Sequence, residues 1–257
     1  AFIHPSWITN LVRILYRHAL KRAVCVFFQN LEDRNYFIAQ KIVNQSKAIL
    51  IPGSGINLQD FQPIETSAVL KDRPVSFVLI ARLLWDKGIA EYVEAARMIK
   101  AKHPNTRFCL VGPTEVPNRT AVPSNDVHRW SSEGTIEYLG ETDDVRNILS
   151  QQDCVVLPSY REGLPRVLLE GAAMGKPLIA SDVPGCRDVI LGANGLLCQA
   201  RNATSLADAC ERFLLLSLEE RIAMGKASRR IAEEKFDEKF IFSAYQTQVS
   251  VAMQTEL

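Results

Sequence analysis

The fold of this chain is decided by one stretch, which reads Cys154-Val155-Val156-Leu157-Pro158-Ser159-Tyr160-Arg161-Glu162-Gly163-Leu164-Pro165-Arg166-Val167-Leu168-Leu169-Glu170-Gly171. Its apolar beginning predicts a buried strand, and Pro165 suits the first turn of a helix, where its missing N–H costs nothing. The stretch therefore predicts a strand, a tight loop that carries Glu162, and a helix that carries Glu170. A helix N-terminus attracts anions such as phosphate, and two carboxylates beside it can hold hydroxyl groups.

The composition is that of an ordinary globular protein. The 257 residues suffice for one large domain or for one domain plus a piece of another, and the net charge of +1 argues against a nucleic-acid binder. The six cysteines form no CxxC pair, which predicts reduced, buried thiols in a cytoplasmic protein. No apolar run approaches the roughly 20 residues that cross a bilayer. Because the chain opens with Ala1 and a helix that carries core residues, it is expected to be a fragment or a trimmed form.

The first 58 residues predict the end of an α/β unit. Helices are expected at 6–22 and 30–43, and strands at 23–28 and 47–51. The first helix has an apolar face and a basic face. The basic face is either a solvated surface or a surface that meets anionic lipid or an anionic acceptor, and both interpretations stay open.

Strands and helices alternate after a polar linker at 59–74, which marks the domain boundary. This alternation predicts an α/β, Rossmann-like, doubly wound parallel sheet. The expected strands are 75–81, 107–111, 135–139, 154–157, 177–180 and 195–198. The expected helices are 88–102, 127–132, 144–151, 165–174, 186–190, 205–216, 219–236 and 238–253.

Two cations follow the first strand of this second unit. Arg82 and Lys87 stand where the ligands of such sheets lie, and they suit a diphosphate, although they are equally consistent with surface cations paired to Asp86. No Asp-x-Asp motif and no His/Cys/Asp cluster has the spacing of metal ligands, so no metal site is predicted. In the Gly-rich loop at 52–57, Gly55 either lets the backbone approach a ligand closely or simply forms a turn.

Short motifs follow one another in order along nearly the whole chain. They are Gly53-Ser54-Gly55, Ala81-Arg82-Leu83, Lys87-Gly88, Tyr138-Leu139-Gly140, the stretch from Leu157 to Pro165, Glu170, Gly175-Lys176-Pro177, Pro184-Gly185-Cys186-Arg187 and Asn194-Gly195-Leu196-Leu197. No single motif is decisive. The ordered set resembles the retaining glycosyltransferases of family four, particularly the bacterial polysaccharide and lipopolysaccharide subgroup.

The resemblance implies the GT-B fold, in which two Rossmann-like domains enclose a cleft. Residues 1–58 would be the remnant of the N-terminal, acceptor-binding domain, and residues 59–236 the C-terminal, nucleotide-sugar-binding domain. Residues 237–257 would form a helix that packs back on the N-terminal domain. Asn57 departs from the family pattern, because an Asp is common at its position.

The resemblance also implies residue roles. Glu162 would contact the donor sugar, and Glu170 would accept hydrogen bonds from the ribose hydroxyls. The backbone N–H groups of Gly163 and Leu164 would face the sugar or the phosphate. In catalysis, Glu162 would act with the two cations that offset the diphosphate charge.

The cations implied for this task are Arg82 and Lys87. Leu139 would line the base, and Gly55 belongs to a loop that would approach the donor.

The implied function is a hexosyltransferase-type reaction. A sugar would pass from a nucleotide-diphosphate donor, with UDP favoured, to a glycan or lipid-linked acceptor. Neither cofactor nor metal is expected, and nucleic acid is not an expected partner. The expected location is the cytoplasm, and this expectation extends to peripheral attachment at the inner face of the cell membrane. The fragment alone is expected to bind nucleotide weakly and to be inactive.

Two alternatives remain open from the sequence. One is a nucleotide-binding module without catalysis, since half of the cleft is missing. The other is a different GT-B enzyme, such as a sugar epimerase or a phosphorylase.

Overall fold

A computed structural model describes residues 7–64 and 73–255. Its first unit contains a small parallel sheet, in which β1 pairs with β2. Phe28, Ile42, Val43 and Ala48 form its core. The elements are α1 (Trp7–Ala19), a 3₁₀ turn (Leu20–Arg22), β1 (Val26–Phe28), α2 (Leu31–Ala39), a second 3₁₀ turn (Gln45–Lys47) and β2 (Ala48–Leu50).

The second unit is built on a sheet that has six strands within the described residues. All neighbouring strands run parallel, in the order β5-β4-β3-β6-β7-β8. The strands are β3 (Ser76–Ile80), β4 (Arg107–Val111), β5 (Glu137–Tyr138), β6 (Cys154–Leu157), β7 (Leu178–Ser181) and β8 (Gly195–Cys198). The order reverses between β3 and β6, which makes a switch point where such sheets bind ligands. The predicted fold class is therefore confirmed.

Helices cover both faces of this sheet. Successive side chains of a strand point to opposite faces, so Phe77 of β3 packs with α3, α4 and α7, while Val78 packs with α5 and α6. The helices are α3 (Ile89–Lys102), α4 (Ser124–Ser132), α5 (Arg146–Ser150), α6 (Arg166–Ala173), α7 (Ala203–Leu214), α8 (Leu218–Ile231) and α9 (Glu238–Thr255). A 3₁₀ turn (Trp85–Lys87) precedes α3, and a π-helical turn (Ala232–Phe236) follows α8.

Three predicted helices differ from the structure, and the one expected at 30–43 ends at Ala39. The segment 186–190 forms turns, because the side chain of Asn194 accepts a hydrogen bond from Leu191 N and donates one to Val189 O. The helix predicted at 219–236 ends at Ile231 and passes into the π-helical turn. Part of the linker predicted at 59–74 lies outside the described residues, since residues 65–72 are not among them.

The first helix is less buried than the sequence predicted. Its apolar side chains were expected to be core residues, yet Trp7 is 76% exposed and Leu15 is 58% exposed. Within the described part of α1, Thr9 alone is buried. Contacts with α2 hold the helix: Arg13 donates to the hydroxyl of Tyr36 at 2.6 Å. An amphipathic pattern identifies the apolar face but not the element that covers it.

The first half of the last helix, α9, packs against the first unit. Ile241 is buried, and the ring of Tyr245 meets that of Phe27 edge to face at 4.6 Å. The apolar residues Phe240 and Val249 of the same helix are exposed. A search of the described residues finds no helix long and apolar enough to span a membrane.

Candidate active site

The loop between β6 and α6 lies at the switch point of the sheet, and neighbouring loops pack tightly against it. A Cβ on Gly88 would lie 2.3 Å from the carbonyl oxygen of Pro158, and one on Gly185 would lie 2.4 Å from that of Gly163. Both glycines have positive φ values, +76° and +80°, which glycine adopts without strain. The loop is thus fixed by contacts that leave no room for a side chain.

The structure brings Glu162 and Lys87 together. Glu162 Oε1 accepts hydrogen bonds from Lys87 Nζ at 2.6 Å and from Ser159 Oγ at 2.7 Å. Ser159 is held in turn, because its carbonyl accepts a hydrogen bond from the hydroxyl of Ser181. The ammonium group has three donors, so Lys87 retains donors for an anion while it neutralises Glu162.

Arg82 lies on the same edge of the sheet, just after β3, but its side chain is exposed. Across residues 7–64 and 73–255 it has no ion-pair partner, so the alternative of a surface pair with Asp86 is not seen. The structure does not place it in contact with Glu162. An exposed guanidinium without an ion-pair partner among the described residues remains available to an anionic ligand.

Glu170 lies on α6, and it is only 9% exposed. Its Oε1 accepts a hydrogen bond from Arg166 Nε at 2.9 Å, whereas Oε2 accepts none from the described residues. Burial raises the pKa of this carboxyl, and the hydrogen bond from Arg166 opposes that effect. A partly desolvated carboxylate with a vacant oxygen gains from any hydroxyl donors that a ligand supplies.

The backbone at the start of α6 offers unpaired donors. In the described chain, neither Gly163 N–H nor Leu164 N–H has a hydrogen-bond partner. Residues from the first unit hold the same segment: Asn30 Nδ2 donates to Gly163 O at 3.0 Å, and a Cβ on Gly163 would lie 2.2 Å from Gln29 Oε1. The two N–H groups and the start of α6 together suit a phosphate or a sugar oxygen.

A cavity of about 630 Å³ opens beside this loop, and sequence reasoning missed part of its wall. Arg201 lies over the ring of Tyr160 at 4.4 Å, and the hydroxyl of Tyr160 donates to Glu91 Oε1 at 2.7 Å. Burial, followed by that hydrogen bond, raises the pKa of Tyr160 to about 12. Arg201 stands in the left-handed region at φ 59°, and no motif around it marks this position. The lining residues are Asp33, Asp86, Tyr160, Arg161, Glu162, Gly163 and Arg201.

A second cavity of about 390 Å³ lies at the carboxyl ends of β3 and β4. Its walls include the segment from Glu141 to Asp143, which follows β5. Leu139, predicted to line the base, stands just before that segment and is 42% exposed. Its backbone N–H donates to Leu110 O at 2.9 Å, which fixes its position at the end of β5. The structure thus places Leu139 beside this cavity rather than among its lining residues.

Gly55 packs against the last helix. A Cβ there would lie 2.6 Å from Glu238 Cα, so the close approach that this glycine allows is to the start of α9. Gly53 makes the contact with the site loop instead, since a Cβ on it would lie 2.6 Å from the side chain of Leu164.

The described residues contain no group of three or more His, Cys, Asp or Glu that is arranged to hold a metal ion. The cysteines are free thiols, and all except the partly buried Cys25 are buried.

The family profile described as "Glycosyl transferases group 1" matches residues 60–231. The match covers more than half of the chain and includes the β6 loop, α6 and both cations. The chain therefore belongs to this family, and the resemblance seen in the motifs is confirmed.

Two bacterial relatives are named as glycosyltransferases. It is 32% identical to the N,N'-diacetylbacillosaminyl-diphospho-undecaprenol alpha-1,3-N-acetylgalactosaminyltransferase of Campylobacter jejuni, covering 95% of this chain and 66% of the relative. It is 28% identical to the UDP-Gal:alpha-D-GlcNAc-diphosphoundecaprenol alpha-1,3-galactosyltransferase of Escherichia coli, covering 70% and 49%. The chain thus spans between about half and two thirds of these relatives.

Solved structures establish the same fold at lower identity. Anabaena Alr3699/HepE, crystallised with UDP, superimposes with a TM-score of 0.83 over 98% of this chain and 70% of that chain, at 19% identity. Sucrose-phosphate synthase from Thermosynechococcus elongatus gives a TM-score of 0.78 over 97% and 65%, at 22% identity. The expected GT-B architecture is confirmed by these neighbours.

Proposed function

We propose that the protein is a retaining glycosyltransferase that transfers a hexosyl or N-acetylhexosaminyl group from a UDP-sugar to a lipid-diphosphate-linked saccharide. One observation carries the proposal. Glu162, paired with Lys87, lies at the switch point of the sheet, on the same loop and helix that bear unpaired backbone N–H groups and the buried Glu170.

The positive groups at the sheet edge serve the leaving group. When the glycosidic bond to the diphosphate breaks, negative charge grows on the departing oxygens. Lys87, Arg82 and the N–H groups of Gly163 and Leu164 stabilise that charge more in the transition state than in the bound substrate. Glu162 orients Lys87 and accepts hydrogen bonds from the donor sugar.

Glu170 holds the other end of the donor. Its vacant Oε2 accepts hydrogen bonds from the ribose hydroxyls, while Arg166 holds Oε1 in place. The cavity beside Glu141 and Asp143 receives the base, with Leu139 at its margin.

The acceptor lies on the other side of the loop. We assign residues 1–58 to the acceptor side, residues 59–236 to the donor domain and residues 237–257 to the returning helix. The names of both relatives specify diphospho-undecaprenol acceptors and alpha-1,3 linkage. The exposed apolar residues of α1, together with its arginines, support peripheral attachment at the cytoplasmic face of the membrane.

The decisive test incubates the complete natural protein with UDP-N-acetylgalactosamine, UDP-galactose and other nucleotide sugars. The acceptor is an undecaprenyl-diphosphate-linked N-acetylglucosamine, and the product is analysed by mass spectrometry and by NMR for α configuration. Transfer that is lost in Glu162→Gln and kept in the surface control Glu94→Gln supports the proposal. Consumption of no donor, or a β-configured product, refutes it.

Binding separates this function from a nucleotide module without catalysis. Calorimetry with UDP on the same protein reports the donor site alone. UDP binding without any transfer would favour the non-catalytic alternative.

Membrane attachment has a separate test. Sedimentation with vesicles of phosphatidylglycerol should carry down the protein, and vesicles of phosphatidylcholine should carry down less. Equal sedimentation with both, or none with either, contradicts an electrostatic contribution from α1.

A further inference from the structure

A third cavity, of about 480 Å³, lies at the opposite edge of the main sheet. Its walls are the residues just before three strands: Arg73 before β3, Asp153 before β6, and Lys176 before β7. One face of α8 closes it. The carboxyl ends of the same strands form the donor site, so the two sites are separated by the length of the strands.

The cavity carries a surplus of positive charge. Six cationic side chains and two carboxylates line it: Arg73, Lys176, Arg221, Lys226, Arg229 and Arg230 against Asp153 and Glu233. Both carboxylates are already paired, since Arg73 contacts Asp153 at 2.7 Å and Arg229 contacts Glu233 at 2.6 Å. Arg230 contacts Glu234, outside the cavity, at 4.0 Å. Among the described residues, Lys176, Arg221 and Lys226 have no carboxylate partner, which favours an anionic ligand.

One of the cations is buried. Lys176 is 9% exposed, and its Nζ donates to Ser150 O at 3.0 Å and to Gln152 O at 2.9 Å. Burial lowers the pKa of Lys176 to about 8, with Arg73 adding to the effect and Asp153 opposing it. An anion in the cavity would relieve the cost of holding this charge.

Two polar groups in the wall are unsatisfied. Gln152 is 3% exposed, and its Oε1 has no hydrogen-bond partner in the described structure. Arg221 Nε is also buried without a partner there. Native proteins rarely leave such buried groups without a hydrogen-bond partner. The guanidinium of Arg221 is nevertheless fixed, because it donates to Leu214 O at 2.6 Å and lies over the ring of Phe213 at 5.3 Å.

The rest of the wall is apolar. Met174 directly follows α6, and further side chains come from the segment after β2, from the approach to β3 and from α8: Ile64, Val75, Leu218 and Ile222. A ligand that fills the cavity therefore needs an apolar body as well as charge.

We propose that this cavity binds an organic phosphate whose body includes an aromatic ring. The phosphate meets the cations that have no carboxylate partner, and the ring lies against the aliphatic wall. The need for both parts distinguishes this ligand from a bare anion.

Calorimetry with three probes tests the proposal, with saturating UDP present to keep the donor site occupied. AMP carries both the phosphate and the ring. Adenosine lacks the phosphate, and inorganic phosphate lacks the ring-bearing body. AMP is expected to bind with a Kd below ~1 mM, and each partial probe at least ~10-fold more weakly. Absence of AMP binding, or equal binding of inorganic phosphate, overturns the proposal.

Variants locate the binding. Arg221→Met should weaken AMP binding ~10-fold, and Lys226→Met, an exposed position that the fold tolerates, should weaken it ~3-fold. Arg212→Met, on the surface outside the cavity, serves as the matched control and should leave it unchanged. If Lys226→Met and Arg212→Met behave alike, or if Arg82→Met abolishes AMP binding, the cavity is not the site.

Discussion

The β6–α6 loop and helix α6 carry two glutamates of one motif in contrasting surroundings. Glu162 in the loop is neutralised by Lys87, which comes from another strand's loop, and is held by Ser159. Glu170 in the helix is buried, and among the described residues its carboxylate pairs only with the nearby Arg166, whose side chain is 62% exposed. The difference indicates that Glu162 is already positioned by the fold, whereas Glu170 has capacity left for a ligand. Four experiments sharpen this comparison.

The largest effect is expected from Glu162→Gln. Loss of the carboxylate frees Lys87 from its aligned position, so transfer by the complete protein should fall ~100–1000-fold. UDP affinity should change less than ~3-fold, since UDP lacks the sugar. Steady-state turnover and calorimetry measure the two quantities, with Glu94→Gln as the surface control. A variant that loses UDP affinity in proportion to turnover would place Glu162 on the nucleotide instead.

Lys87→Met should come next. It removes a cation from the diphosphate and leaves Glu162 without its partner, so UDP affinity should fall ~10–100-fold. The free energy of unfolding should drop by about 1–3 kcal/mol, because a carboxylate that is 13% exposed loses its charge partner.

A double variant tests this coupling. Lys87→Met combined with Glu162→Gln should regain most of the lost stability, and Lys235→Met should show neither effect. Additive losses in denaturant unfolding would mean that the two residues do not depend on each other.

Glu170→Gln should affect binding and stability in opposite directions. UDP affinity should fall ~10-fold, because an amide is a weaker acceptor for the ribose hydroxyls. Stability should rise, since burial raises the pKa of Glu170 above its ordinary value of 4.5 and the ionised form is therefore disfavoured in the fold.

Because burial raises the pKa of Glu170, the stability gained by Glu170→Gln depends on pH. Below the ordinary glutamate pKa both folded and unfolded chains hold the proton, so the variant should gain nothing. As pH rises above that value, the unfolded chain releases the proton first, and the advantage of Glu170→Gln should grow until the folded carboxyl has also ionised. Thermal unfolding of the variant and of the unchanged protein at a series of pH values measures this advantage. A stability difference that stays constant with pH would show that burial does not disfavour the ionised form of Glu170.

The smallest effect is expected from Asn30→Ser, which tests the support of the loop from the first unit. Serine preserves the N-cap of α2, where Asn30 Oδ1 accepts from Asp33 N at 2.8 Å, but cannot reproduce the amide that donates to Gly163 O. Stability should therefore change little, while turnover falls ~3-fold as the loop loosens. Asn30→Ala, which also loses the cap, should cost about 1 kcal/mol more. Equal turnover of Asn30→Ser and the unchanged protein would remove Asn30 from the positioning of the loop.

Much of the second unit could be read from local patterns. The strands at 107–111, 154–157 and 195–198 were predicted with the bounds that the structure shows, because a buried parallel strand is a continuous apolar run between breakers. The eight-residue offset between Glu162 and Glu170 likewise places one in the loop and the other on the helix. Where a side chain competed for the backbone, as Asn194 does after residue 190, the local pattern predicted a helix wrongly.

The sequence by itself determined the α/β class, the order of the motifs and the loop-and-helix position of the two glutamates, because periodicity and turn residues act over a few residues. The tertiary structure alone decided which distant groups meet. The pairing of Lys87 with Glu162 spans 75 positions, and the bond from Asn30 to Gly163 spans 133. Such contacts depend on the strand order, which results from packing both faces of the whole sheet at once. Burial of Glu170, exposure of α1 and the unsatisfied Gln152 have the same origin, since each depends on what the rest of the chain places beside it.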